Sequence, residues 1–547
     1  MNKIKFIMIS TFLTLIATTQ SAELKNIQPG FAKNVIFLIP DGSSSTVSTL
    51  ARALYNNGDN LNIDEMASGM VKTYNADTFI ADSAPAGTAL ATGWKTQDKL
   101  IGVKPKIATL NGARIPELGE ELSPVASILE AAKLQGKAVG IVATSEVLHA
   151  TPADFTTHSL HRNNYSIIGE QQVYQNLNVV FGGGKNYLKK DSSNEPNSKK
   201  RTDGEDMLKA LKTNGYTIVQ TLDEMKNLNK DFVWGLFADK DIPYDLDRDK
   251  KLTPSLAEMT EKAIELLSKD KDGFFLMVEG SKVDWAGHAN NPIAITSEYI
   301  AFDKAVGVAL NYAKTNSDTL VVSVTDHGTG GLSIGNSNTS LNYSELPVDT
   351  FIKDMKNAKF TEILTAEEIF KNKDNSMKLA KDMLGLELTN TELSKIKNSK
   401  TLSEIESILG KAMSDRAHLS WTTNGHTGED VPLYIYTPNY INQLTGTVNN
   451  SDIALYIAKA MNVDLDKSTD ELFVSGKSIK NMGIDLTIDT TNKFQPTFIL
   501  SKNNKKYLFH ENKNYYEVDG KKITFNGIVV FNGKEVFIPN AALVNIK

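Results

Sequence analysis

Short, unbroken apolar runs recur along the chain. Asn34–Pro40 (NVIFLIP), Ala138–Ala143, Phe232–Phe237, Gly273–Val278 and Thr319–Val324 show no polar alternation, so each predicts a strand buried on both faces. Between them, Ser123–Gln135, Pro254–Ser268 and Ser297–Thr315 carry the spacing of amphipathic helices. Strands alternating with helices predict an α/β fold: a large, mostly parallel central sheet with helices on both faces. Two stretches break the rhythm. Glu345–Asp415 is rich in Lys, Glu, Asn and Leu and predicts a helical insertion, within roughly 330–420. From Gly476 onward the pattern turns β-rich, with Asp519-Gly520, Asn526-Gly527 and Asn532-Gly533 as turn pairs. The expected division is 1–22 as a leader, 23–475 as the α/β domain and 476–547 as a small all-β appendage.

Composition narrows the choice. A chain of 547 residues is long enough for one large domain plus an appendage. Its net charge of -6 gives no basic bias toward nucleic acid, so any attraction for an anion must come from local cations. There are 0 cysteines, which excludes disulfides, thiolate zinc sites, iron–sulfur clusters and cysteine nucleophiles. Lys3 and Lys5 precede the apolar run Phe6–Ala17, and small residues follow at Thr19, Ser21 and Ala22. That order predicts an export signal cleaved after Ser21 or Ala22, with an uncleaved N-terminal anchor as the alternative, and a periplasmic or secreted product. No later segment is long and apolar enough to span a bilayer, so no membrane span is expected after cleavage.

Candidate chemistry gathers at predicted strand ends. Asp41, Glu279 and Asp326 each follow an apolar run, and the C-terminal edge of such a sheet is where ligands bind. One acid after a strand is an ordinary turn former. Three at one rim repel unless a cation sits between them. Asp284 and His288 are four apart and share a helix face, a spacing that suits zinc but, taken alone, more often marks a solvated surface. Asp326-His327 sits on an irregular turn, and His426 lies in the glycine-flanked loop Gly425-His426-Thr427-Gly428. Asp82-Ser83-Ala84-Pro85-Ala86-Gly87 opens a helix of small residues, which lets an anion approach the N-terminal amides and places Ser83 as a nucleophile. The same residues also read as a capped packing helix. Ser83 to Ala86 fit the first four places of the sulfatase pattern S/C-x-P-x-R, but Gly87 stands where arginine is required. His149-Ala150-Thr151-Pro152 follows, with Arg162 downstream, whose planar fork suits two phosphate oxygens.

Taken together, these motifs resemble the alkaline phosphatase family, in the family's order from Asn34 to about Asn439. The resemblance implies an alkaline-phosphatase-like fold and hydrolysis of phosphate monoesters through phosphoserine, with two zinc ions and one magnesium per chain. By position it makes Ser83 the nucleophile and Arg162 the phosphate clamp. Asp284, His288 and His426 would hold the first zinc, Asp41, Asp326 and His327 the second, and Asp41, Thr151 and Glu279 magnesium. His149 stands where the enteric bacterial type has aspartate and Trp285 where it has lysine; both border the substrate site. This pairing resembles marine bacterial forms and implies a weaker magnesium site. A homodimer is a further implication. The rivals are a phosphodiesterase or phosphonate-acting member of the same superfamily, the diesterase disfavoured by Arg162, and an exported binding or adhesion protein on a dead scaffold, disfavoured by the complete ligand set.

Overall fold

The computed structural model describes residues 32–190, 201, 203–438, 440–544 and 546. The leader expected at 1–22 lies outside them. The large sheet has ten strands: β1 (Asn34–Ile39), β2 (Ala67–Lys72), β3 (Ala138–Glu146), β4 (Val179–Gly183), β5 (Thr217–Val219), β6 (Val233–Leu236), β7 (Phe274–Glu279), β8 (Thr319–Val324), β9 (Val431–Tyr436) and β10 (Gly446–Asn449). Their order is β10-β2-β9-β8-β1-β7-β3-β4-β6-β5. Every neighbouring pair is parallel except the two made by β9.

Strand periodicity explains the unbroken apolar runs. In β1, Ile36 and Leu38 enter one core while Val35, Phe37 and Ile39 enter the other. In β7, Phe274, Leu276 and Val278 take the first side, and Phe275 and Met277 the second. Both faces are covered, so neither parity is polar. Each such side chain contributes about 1.5–3 kcal/mol on burial.

Helix bounds follow local chemistry. Leu256–Leu267 starts behind Ser255, which forms a reciprocal cap with Glu258. The helix expected at Ser123 begins only at Ile128, because Ser127 and Glu130 form the capping box there. The one expected from Ser297 begins at Pro292, whose ring suits the first helical position. The stretch between His327 and His426 carries the helices Asp349–Ile352, Glu362–Lys371, Ser376–Leu384, Asn390–Asn398 and Leu402–Arg416.

The C-terminal part forms separate small sheets. One has five antiparallel strands: β11 (Asp485–Asp489), β12 (Thr497–Lys502), β13 (Lys505–His510), β14 (Tyr515–Val518) and β15 (Lys521–Thr524). A second sheet holds three short strands, Val474–Ser475, Val530–Phe531 and Val536–Ile538. Asp519 and Gly520 close the β14–β15 hairpin with φ of 50° and 72°, and Gly533 turns the last hairpin at 83°. Asn526-Gly527 instead links the two sheets. The residues just after 475 are helical, Gly476–Asn481, and β structure resumes at Asp485. Among the described residues no helix is long and apolar enough to cross a membrane.

Candidate metal and phosphate site

β8, β1 and β7 lie side by side at the sheet centre, and their C-terminal ends deliver the acids. Asp41 stands two residues past β1, Glu279 ends β7, and Asp326 stands two residues past β8. All three are fully buried. The helix Lys282–His288 follows β7 and brings Asp284 and His288 to the same rim. Gly42, at φ +69°, makes room for it: a Cβ there would fall 2.6 Å from the Asp284 Cα. A two-residue ribbon pairs His426 with Thr329 and thereby stacks the His426 ring on His327, with centroids 3.7 Å apart.

The imidazoles are oriented from behind. His288 Nδ1 faces the Asn424 carbonyl at 2.6 Å and His426 Nδ1 faces the Ala81 carbonyl at 2.8 Å. A carbonyl only accepts, so each Nδ1 carries the hydrogen, and in the neutral ring each Nε2 turns a lone pair forward. Those two Nε2 atoms are 3.1 Å apart. Asp284 closes the triangle, 3.4 Å from His288 Nε2 and 3.6 Å from His426 Nε2, and accepts the Thr329 hydroxyl at 2.5 Å.

Three sets of donor atoms lie within 4.8 Å of one another: Asp284 with His288 and His426; Asp41 with Asp284 and His327; and Asp41 with His149 and Glu279. Asp326 also adjoins the second set, its Oδ2 3.1 Å from His327 Nε2. The Thr151 hydroxyl, wholly buried in the helix Ala150–Asp154, faces Glu279. Both Asp41 oxygens, Asp326 Oδ2 and Glu279 Oε1 are buried without a hydrogen-bond donor. Each such oxygen would cost about 1–3 kcal/mol if left unmatched. A set of hard oxygens and imidazole nitrogens around such atoms fits divalent cations.

The electrostatics agree. Burial, then the neighbouring Asp326, Asp284 and Glu279, drives Asp41 well above the carboxylate range. Burial, with Asp326 adding to it, pushes Glu279 up to about 8. For Asp284, burial pushes upward but His288, His327 and His426 outweigh it and hold the carboxyl low. Burial pulls His327 down, yet Asp326 and Asp284 overcome it and lift the ring to about 9.

Ser83 is the first residue of the helix Ser83–Thr92, and its hydroxyl reaches His327 Nε2 at 3.1 Å. Arg162 arrives from the other side. Its Nη1 pairs with Asp82 at 2.5 Å and its Nη2 meets His149 Nε2 at 3.0 Å. The His149 ring meets the Trp285 ring edge to face at 5.8 Å. Every metal, phosphate and nucleophile candidate named from the sequence is therefore part of one cluster or borders it.

The decisive comparison is with known sequences: the pattern described as "Alkaline phosphatase" matches residues 32–463. The chain belongs to the alkaline phosphatase family. Alkaline phosphatase 3 of Bacillus subtilis (strain 168) is 36% identical over 452 residues, covering 79% of this chain and 90% of its own. The solved cold-active alkaline phosphatase from the psychrophile Shewanella sp. superposes with a TM-score of 0.67 at 30% identity, over 78% of this chain and 99% of that one. TAB5 alkaline phosphatase with a histidine changed to glutamate, described with magnesium in its M3 site, has a TM-score of 0.56 at 26% identity, over 80% and 100% of the two chains. This alkaline phosphatase is accordingly a phosphoric monoester hydrolase with a metal-binding site. The family match stops before the C-terminal sheets.

Several contributors escaped the sequence reading. Asp82 flanks Ser83, a hint in hindsight, but its pairing with Arg162 spans 80 positions. The carbonyls of Ala81 and Asn424 act through the backbone and leave no signature in residue type. Thr329 sits two residues past His327 and carried no pattern of its own.

Proposed function

We propose that Ser83 is the nucleophile of this alkaline phosphatase, in a site built for two zinc ions and one magnesium. The observation that carries the reading is the meeting of three ligand sets, drawn from distant parts of the chain, beside one buried hydroxyl. Asp284, His288 and His426 would hold one zinc, and Asp41, Asp326 and His327 the other. Asp41, Thr151 and Glu279 would hold magnesium, with His149 at its edge. When bound, these cations supply charge neutralisation for the phosphoryl group and lower the pKa of a nearby hydroxyl or water.

The chain's own residues do the rest. The Ser83 hydroxyl gives up its proton as Oγ attacks phosphorus; the P–O bond to the leaving group breaks, the departing alkoxide takes up a proton to leave as the alcohol, and phosphoserine forms. Pro85 carries no N–H and the Ala86 amide bonds the Asp82 carbonyl, which leaves the Ser83 and Ala84 amides as first-turn donors for an anion. Arg162 grips two phosphoryl oxygens with a fork held in plane by Asp82 and His149. Water then attacks the phosphoserine from the opposite side and the Ser83 oxygen leaves. A diester has one of those oxygens esterified, so Arg162 favours monoesters. Trp285 replaces a polar contact with an aromatic wall against His149.

The test is to trap radiolabelled phosphate on the acid-quenched enzyme and map it by peptide sequencing. Label on Ser83, together with preference for an aryl monoester over its diester, supports the reading; label elsewhere or equal diester turnover refutes it. The remaining expectations are also proposals: residues 1–22 as a removed export leader, with 23–475 and 476–547 as the two parts of the mature chain, and a homodimer. N-terminal sequencing of the exported product and sedimentation would decide them.

A further inference from the structure

The C-terminal sheets touch the catalytic body at a polar, buried seam. The loop between β13 and β14 supplies it, and Asn512, Lys513 and Asn514 are all buried. Lys513 pairs with Glu170 and, at 2.8 Å, with Glu205. Asn512 Nδ2 donates to Glu170 Oε2 at 3.0 Å, and its Oδ1 accepts from Gln171 Nε2 at 3.0 Å. Glu170 and Gln171 lie on the helix Tyr165–Tyr174, just after Arg162.

Gln171 then bridges to the phosphate clamp. Its Oε1 accepts the His158 backbone amide at 2.7 Å, and its Nε2 donates to the His158 carbonyl at 2.9 Å. One amide thus holds both backbone groups of His158, four residues before Arg162. The far side of this stretch is fixed too: Ser159 and Ile101 exchange both backbone bonds, at 2.9 and 3.0 Å, and the Arg162 amide donates to the Lys99 carbonyl at 2.9 Å. The segment bearing Arg162 is therefore held between Lys99–Ile101 and Gln171. Asn512 in the C-terminal loop takes the second hydrogen of the Gln171 amide, whose first goes to the His158 carbonyl.

We infer that the C-terminal β module is a working part of the phosphate site, with Asn512 a positioning residue that sets the Arg162 segment through Gln171. This rests on Arg162 binding phosphate. A clamp with two oxygen contacts is sensitive to sub-ångström displacement, so loss of the support weakens phosphate binding before it weakens the fold.

Asn512→Gly is the test, because Asn512 sits at φ +62°, which glycine accepts, and only the side chain is lost. The inhibition constant of inorganic phosphate and KM for an aryl phosphate should each rise by about 5- to 10-fold with kcat within about twofold. In an Arg162→Ala background the same change should add nothing to either constant. Unchanged constants in Asn512→Gly, or full additivity with Arg162→Ala, overturn the inference. If Arg162→Ala alone leaves phosphate inhibition unaltered, the assignment of Arg162 fails first, and this inference with it. Should Asn512→Gly not fold, Asn512→Ser retains a hydroxyl in the seam and is read by the same constants.

Discussion

The Ser83 hydroxyl and His327 meet at 3.1 Å through Nε2, and the Asp326 carboxylate meets that same nitrogen at 3.1 Å. In a serine–histidine–aspartate relay the acid holds Nδ1 and leaves Nε2 for the serine. Here His327 Nδ1 faces the Gly328 carbonyl at 3.3 Å instead. One nitrogen ringed by the oxygens of Ser83, Asp326 and, at 3.8 Å, Asp41 fits a shared cation better than a relay.

A discriminating variant follows from that geometry. His327→Gln should lower metal content by about one ion per chain and turnover by about a thousandfold. Ser83→Ala should lower turnover by a comparable factor while metal content stays intact. Elemental analysis of both purified variants checks this. An unchanged metal count in His327→Gln would remove His327 from the ligand set.

The helix that begins at Ser83 packs tightly against Asp154. A Cβ on Gly87 would stand 2.1 Å from Asp154 Oδ2, and Asp154 Oδ1 accepts the Thr88 hydroxyl at 2.8 Å. Burial drives the Asp154 carboxyl well above its ordinary range, so it fits there as a neutral group. Gly87→Ala should cost about 1–3 kcal/mol, because neither the helix backbone nor the buried acid can retreat far. Adding Asp154→Ala should restore much of the loss in thermal melting. Additive losses in the double variant would mean that the clash is not the cause.

Legibility in the sequence followed the range of the signal. β1, β7 and β8 could be read because burial on both faces removes alternation, and the acids at their ends followed from strand direction. Asp284 and His288 could be paired because helical spacing is local. What stayed hidden is contact between distant backbones: the carbonyls behind His288 and His426, and the ribbon that lays His426 on His327. The β12–β13 hairpin was missed for a different reason. Its turn uses Asn503 and Asn504, at φ 51° and 63°, where a glycine pair was the cue sought. Nor could residue types reveal that Asn512 would meet Gln171 across 341 positions.

Stability should also depend on pH through a buried acid away from the candidate metal site. Glu298 is buried in the helix Pro292–Thr315 and accepts the Asp245 amide at 2.5 Å. Burial lifts its carboxyl from 4.5 to about 8, against the pull of the Asp245 amide and Lys282. Within that window the folded protein keeps a proton that the unfolded chain has released. The resulting stability is complete below pH 4.5 and is lost as pH rises through about 8. Glu298→Gln retains an acceptor and cannot ionise, so its melting temperature should fall less over this range. A decline identical to that of the unaltered protein would remove Glu298 as its source.

The last prediction concerns the third ligand set. Asp41 and Glu279 there are joined by His149, a softer nitrogen donor than magnesium prefers. His149 also touches Arg162 Nη2 at 3.0 Å, so the same ring borders both the candidate cation site and the proposed phosphate clamp. His149→Asp would add a hard, charged oxygen to the set and an ion pair to Arg162. Magnesium affinity, read by calorimetry on the zinc-loaded protein, should rise about tenfold or more. The phosphate inhibition constant should shift in the same variant, because a second acid beside Arg162 draws the fork away from substrate oxygens. Tighter magnesium with unchanged phosphate inhibition would show that His149 serves the cation alone. Unaltered magnesium binding would remove His149 from that site, leaving Asp41, Thr151 and Glu279 to hold the ion.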